Sequence, residues 1–344
     1  MSIRLLFIMW IAAAVVFLLA GVTGWYLNQV GIIATPRNSV SDQFLTKTKS
    51  EELLASATPS ATPTPSIISF YFVGDMMFDR NIRLNAQKRG GYGSILSTNL
   101  KKLFANSDLV VGNLEGPVTS NPSKSVGSTV GSPANYVFTF DPAIVPFLYE
   151  NNIRLVNLGN NHILNFGQAG LEETYELLAD GNINSFGATG RVADYQRWLS
   201  IPIKGVNFAF VNYNQFTDAG YAQALADLES AREASDVVIL YTHWGNEYVP
   251  ENALLKEQAR DFMNNGADLI IGSHPHVVTG VEQINGKTVY YSLGNFIFDQ
   301  YFEPAVKNGL VVSAQYDAGS GQFVFADLPV VLEPNGTTSL ANEL

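Results

Sequence analysis

The sequence predicts a mixed α/β domain carried behind an N-terminal membrane span. Two observations point to the domain and one to the span. From Ile67 onward, strand-like apolar runs alternate with helix-period segments, the order of βαβ units rather than of an all-β sandwich. Near the end, Gln283-Ile284-Asn285-Gly286-Lys287 carries the Asn-Gly signal of a tight hairpin, so antiparallel strands join late. At the other end, no residue from Leu5 to Leu27 is charged, a run of 23. About 20 apolar residues are enough to cross a bilayer core as helix.

The span comes first in the chain. Trp25 and Tyr26 close it with side chains suited to the membrane interface. A cleaved signal peptide has an apolar core of only about 7–15 residues. The present run is longer and no small-x-small cleavage site follows it closely, so an uncleaved anchor over 5–27 is expected. Residues 34–66 then change character. Ala55 to Ser66 is dominated by Pro, Ser and Thr, offers nothing to bury, and reads as an extended spacer.

The domain is expected over 67–335. Its strand candidates are Ile67–Val73, Leu109–Gly112, Ile153–Leu158, Ile183–Phe186, Phe208–Tyr213, Val237–Thr242, Leu269–Gly272 and Thr288–Ser292. Helical periodicity marks Pro142–Glu150, Gln168–Asp180, Ala222–Ala234 and Leu254–Asn265. Two further strands are expected within Leu310–Glu333, around the turn-forming stretch Asp317 to Gln322.

Composition narrows the function. With 47% hydrophobic residues the chain can bury a substantial core. The net charge of -11 has the wrong sign for a general nucleic-acid binder. There is no cysteine, which removes thiolate metal sites, a cysteine nucleophile, a disulfide framework and a lipidated anchor.

The chemistry lies at the ends of the strands. Five apolar runs break into Gly74-Asp75, Gly112-Asn113-Leu114-Glu115, Gly159-Asn160-Asn161-His162, His243-Trp244-Gly245 and Gly272-Ser273-His274-Pro275-His276. Each leaves a metal-competent side chain at the carboxyl end of a strand, where open α/β sheets bind ligands. A single histidine is more often structural than a ligand. All four histidines of this chain, however, fall in these loops. His274 and His276 stand two apart, and on extended backbone they would project to one side. Pro275 stiffens the pair. Imidazole, carboxylate and amide oxygen without thiolate suit manganese, iron or zinc. One or two such ions could grip a phosphoryl oxygen and activate a water.

These motifs, with Arg80, Glu247-Tyr248 and Ser292-Leu293-Gly294-Asn295-Phe296, resemble the CapA family. This is the capsule and poly-γ-glutamate synthesis branch of the metallophosphoesterase superfamily. The resemblance covers roughly residues 67–300. It implies a layered αββα fold, two central sheets flanked by helices, with a metal site at the strand ends. By position it implies Asp75, Asn161, His243, His274 and His276 as metal ligands. Asn113 stands where a bridging aspartate usually sits, with Glu115 two residues on, so either could take that place. His162 matches the histidine that protonates a leaving group or polarises a phosphate, and Arg80 is placed to hold an anion.

Two positions depart from hydrolytic relatives and a third from the branch itself. Met77 replaces a histidine, and its thioether is a poor ligand for hard cations. Asn113 lacks the bridging charge. Asn165 stands where the branch more often carries aspartate. Two functions follow. One is a metal-dependent phosphoesterase or hydrolase acting outside the membrane on an envelope polymer or its precursor. The other is a non-catalytic, metal-containing assembly or polymer-binding factor. The implied setting is the cell membrane, single-pass, with the domain on the extracytoplasmic side. The implied partners are the membrane, other capsule-synthesis membrane proteins and an anionic envelope polymer, but no nucleic acid.

Overall fold

The structure, a computed structural model, describes residues 66–187 and 197–343. The span expected over 5–27 and the spacer over 34–66, apart from Ser66, lie outside the described residues. Among the described residues no helix is long and apolar enough to cross a membrane.

The chain builds two mixed sheets. The first collects β1 (Ile67–Met76), β2 (Leu109–Leu114), β3 (Ile153–Asn157) and β4 (Asn184–Phe186) as parallel neighbours. On the other side of β1 it adds β12 (Asn308–Asp317), β13 (Gln322–Leu332) and β14 (Thr338–Leu340), all antiparallel. The short β11 (Asn295–Ile297) pairs in parallel with the end of β1. The second sheet runs β5 (Trp198–Ile203), β6 (Val206–Asn214), β7 (Val237–His243), β8 (Leu269–Ser273), β10 (Lys287–Tyr290) and β9 (Val281–Ile284). Its middle is parallel and its two edges are antiparallel.

Period-two patterning stacks these layers. Ile68, Phe70 and Phe72 of β1 point into a core shared with Phe208 and Phe210 of β6 and Ile239 and Tyr241 of β7. Phe70 and Phe208 meet edge-on with centroids 4.9 Å apart, a contact worth roughly 0.5–1.5 kcal/mol beyond area burial. The opposite face of the first sheet is covered by α1 (Arg80–Lys88), α2 (Thr98–Ala105), α3 (Ile144–Glu150) and α4 (Gly167–Asp180). The second sheet is covered by α5 (Gly220–Ala234) and α6 (Ala253–Asn264). A last short turn, α7 (Pro304–Lys307), precedes β12. The layers therefore run helix, sheet, sheet, helix.

The Asn285-Gly286 hairpin forms as expected, with both residues at positive φ (52° and 80°) joining β9 to β10. The packed chain continues past 335: β14 pairs with β13, and Thr338 Oγ1 donates to the Phe296 carbonyl.

One close approach sets the site. The Asp75 N–H donates to the Gly294 carbonyl at 3.0 Å, drawing the end of β1 against β11. Gly74 faces that same carbonyl, leaving no room for a side chain.

Candidate metal centre

Seven side chains converge where β1, β2, β3, β7 and β8 end. Asp75, Asn113, Glu115 and His243 have no exposed surface, and His274 and His276 are also buried. His162 closes the group from the loop after β3. Acceptor atoms of Asp75, Glu115 and His243 lie within 4.8 Å of one another, the dimensions of a cation site.

Asp75 is the most heavily used group. Its Oδ1 accepts from Asn113 Nδ2 at 2.8 Å, and its Oδ2 accepts from the His274 N–H at 3.1 Å. Oδ2 also lies 3.3 Å from His276 Nδ1. Glu115 Oε1 lies 3.6 Å from His276 Nε2 and 3.9 Å from His162 Nε2, beyond hydrogen-bonding range, and has no hydrogen-bond partner. His274 Nδ1 is likewise buried and unpartnered. A buried polar atom without a partner costs free energy unless something fills the gap, and a divalent cation beside it would satisfy either atom. The donor set fits such an ion.

Electrostatics prepare the histidines to ligate. Burial pushes His162 down to about 4 and His274 to about 3. Burial, then the neighbouring His274, holds His243 well below the usual imidazole range. All three rings are neutral at pH 7 and offer lone pairs. Glu115 moves the other way, raised well above the carboxylate range by burial and then by the Asp75 charge. Depressed histidines make the unfolded chain the better proton binder below its ordinary value of 6.5. The histidine contribution to the stability of the metal-free protein is therefore full above about pH 6.5 and lost progressively as pH falls toward 3, while the raised Glu115 works in the opposite sense and costs stability as pH rises above its ordinary value of 4.5. Chemical unfolding of a Glu115→Gln variant at stepped pH with chelator present isolates the histidine part; equal stability of that variant at pH 7 and pH 4.5 would refute it.

The structure places every expected site residue at or beside this cluster, with four corrections. His274 and His276 are not extended. Their φ values are +96° and +59°, and the loop turns so that the His274 N–H meets Asp75 and the Pro275 carbonyl accepts from Tyr248 N. Arg80 and Tyr248 beside the site also have positive φ, an unfavourable conformation for these residue types and one that clusters at functional sites. Asn113 presents its NH2 to the carboxylates, not its oxygen, so in this arrangement it is not a ligand. The Arg80 guanidinium is already paired with Asp299 and flanked by the Phe138 and Phe298 rings. It does not hold an open fork for an anion. His162 Nδ1 donates to Asn165 Oδ1 at 3.2 Å, an oxygen fixed by the Phe138 N–H at 2.7 Å. Its Nε2 therefore bears a lone pair and must gain a proton before it can act as an acid.

Met77 turns away into the helix-side core, its sulfur accepting from the Asp79 N–H at 3.0 Å. Trp244 is a packing residue, fully buried with its indole N–H on the Tyr291 carbonyl at 2.8 Å. Sequence reasoning missed the roles of Asn157, Asn160, Asn212, Ser273 and Asn295, all buried or half-buried hydrogen-bonding partners of the cluster. The available signal was an asparagine interrupting an apolar strand, as in Leu155-Val156-Asn157 and Phe210-Val211-Asn212.

Fold and site together define a layered mixed α/β protein with a buried cluster of Asp, Glu and His side chains that could hold a cation at its strand ends. The profile of the family described as bacterial capsule synthesis protein PGA_cap matches residues 69–300, and the chain belongs to that family. It is 29% identical over 279 residues to the PGA biosynthesis protein CapA of Bacillus subtilis, covering 76% of this chain and 71% of that one. It is 27% identical over 275 residues to the capsule biosynthesis protein CapA of Bacillus anthracis, covering 74% of this chain and 65% of that one. Among solved structures, a phosphatase from Mycoplasma pneumoniae superposes with a TM-score of 0.49 at 15% identity, covering 78% of this chain and 95% of that one. A likeness at that level does not bear on activity.

Proposed function

We propose that the protein is a membrane-anchored, extracytoplasmic metal-dependent hydrolase of capsule or poly-γ-glutamate biosynthesis, acting on a phosphoester of an envelope polymer or its precursor. The observation that carries this reading is the pair of buried, unpartnered atoms, Glu115 Oε1 and His274 Nδ1, beside a His162 whose Nε2 faces Glu115 Oε1 across 3.9 Å. Family membership and the names of the Bacillus relatives support the pathway. Asp75, Glu115, Asn161, His243, His274 and His276 supply the candidate ligands. Bound there, manganese, iron or zinc would polarise a phosphoryl oxygen and lower the pKa of a water. His162 Nε2 would take up and return the proton of the reacting group, while Asn165 holds its ring. Asp75 fixes the His274 main chain.

A second reading is a metal-containing assembly or polymer-binding factor. It is favoured by Met77, whose sulfur faces the core, and by Asn113, which carries no charge. The test is elemental analysis of the purified full-length chain together with a screen of aryl phosphates. Bound metal with hydrolysis supports the enzyme. Bound metal without hydrolysis of any phosphoester selects the second reading, and no metal defeats both. Fractionation of cells, with protease added outside, checks the anchor: recovery in the soluble fraction would reject it.

A further inference from the structure

Asn113 occupies the centre of the acidic half of the site. Its Nδ2 lies 2.8 Å from Asp75 Oδ1, 3.4 Å from Glu115 Oε2 and 3.3 Å from His243 Nδ1. These are the same three residues whose acceptors have the spacing of a cation site. The orientation of a carboxamide is assigned from its partners, and here main-chain groups, which cannot flip, decide it. Asn160 Nδ2 donates to the Leu114 carbonyl while its Oδ1 accepts from the His162 N–H. Asn157 Oδ1 accepts from the Gly159 N–H. Both residues therefore turn NH2 groups toward Asn113 Oδ1, at 3.2 and 3.0 Å. Rotating Asn113 to offer its oxygen to a metal would set NH2 against NH2 and forfeit both bonds.

The histidine half is built the opposite way. Ser273 Oγ spends its hydrogen on the Thr242 carbonyl, so it accepts from His243 Nδ1, and the lone pair of that ring lies on Nε2. Nε2 is 3.0 Å from Asn161 Oδ1. Either the Asn161 amide turns its NH2 toward the ring, or a cation lies between two acceptors. The His274 ring stands 4.8 Å from that of His243, and its Nδ1 is buried with no partner. An unpartnered His274 Nδ1 beside this pair favours the cation. On the acidic side His276 Nδ1 likewise has a settled acceptor at 2.9 Å in Asn295 Oδ1, whose own Nδ2 is held by the Val306 carbonyl, so its lone pair lies on Nε2, 3.6 Å from Glu115 Oε1; what distinguishes this half is the Asn113 NH2 set between Asp75 and Glu115.

We propose that this protein holds one divalent cation rather than a bridged pair, bound by His243, Asn161 and His274, and that the Asn113 carboxamide fills the place between Asp75 and Glu115 that a second cation would take. This rests on the metal reading above and specifies it. Saturating the full-length protein with Mn(II) and measuring stoichiometry, with the paramagnetic resonance spectrum of the bound ion, tests it directly. One ion per chain with an isolated spectrum is expected. Two ions, or an exchange-coupled spectrum, overturn the single-cation proposal but leave the metal reading standing. No bound ion defeats the metal reading itself. Among variants, His274→Ala should lower Mn(II) affinity at least 100-fold and His276→Ala less than 10-fold; the reverse order would place the ion in the acidic half. Asn113→Asp, which adds the missing charge, should raise the count from one to two. A folded Asn113→Asp that still binds one ion would remove Asn113 from the explanation, and if that variant does not fold, the wild-type count and the histidine contrast still decide.

Discussion

Replacing His162 with alanine should leave bound metal in place and lower turnover about 10²–10⁴-fold, the usual worth of a positioned acid–base group. His162 sits on the loop that carries Asn161, packs against Phe138 with centroids 4.4 Å apart and rings tilted by 34°, and is held through Nδ1 by Asn165. Its only exit toward the cluster is Nε2, 3.9 Å from Glu115 Oε1, too long for a hydrogen bond yet close enough to face a group bound there. A ring so held contributes little to folding beyond its packing. The measurement is therefore paired: metal content and hydrolysis on one His162→Ala sample. Loss of metal along with activity would make His162 a ligand. Unchanged turnover would remove it from the chemistry and favour the assembly-factor reading.

Asp75→Ala should have the largest effect on stability. The carboxylate receives Asn113 Nδ2 and the His274 N–H and faces His276 Nδ1, all in a fully buried setting. Deleting it strands the Asn113 and His274 donors, a cost of roughly 1–3 kcal/mol for each buried N–H left unpaired. At about 2–4 °C per kcal/mol for a large domain, the Tm should fall by roughly 10 °C. Metal affinity should fall with it, because the His274 main chain loses its anchor. Calorimetry and metal titration on the variant check both. A melting point within about 1 °C of wild type with metal retained would show that Asp75 pins nothing.

Much of this was legible in the sequence. β1, β2, β3, β6, β7 and β8 are apolar runs because each is covered on both faces, and such runs stand out from their polar surroundings. Every candidate ligand followed one of them. Elements that bury only one side were harder to see. β5 carries Pro202 on an edge and is half-buried along its length, while α1 buries only Ile82 and Ala86 beneath a polar surface. Backbone conformation at His274 and His276 was also hidden, since a left-handed turn leaves no mark in a His-Pro-His string. The asparagine network was the deepest omission. Asparagine at a strand end usually means a turn, and only the spatial neighbours show that Asn157 and Asn160 settle how Asn113 points.

The strand order has a consequence for timing. β1 bears Asp75 and lies between β2, a short stretch away in sequence, and β12, more than two hundred residues later. β11, which meets the end of β1 and positions His276 through Asn295, also comes late. The entire second sheet is made in between. Pairings of such long sequence separation form slowly, because loop closure precedes the contacts that reward it. A growing chain therefore carries its first ligands long before the scaffold that aims them exists. The cluster can close only when the last strands have docked, so metal uptake there would report completion of the whole fold rather than formation of either half.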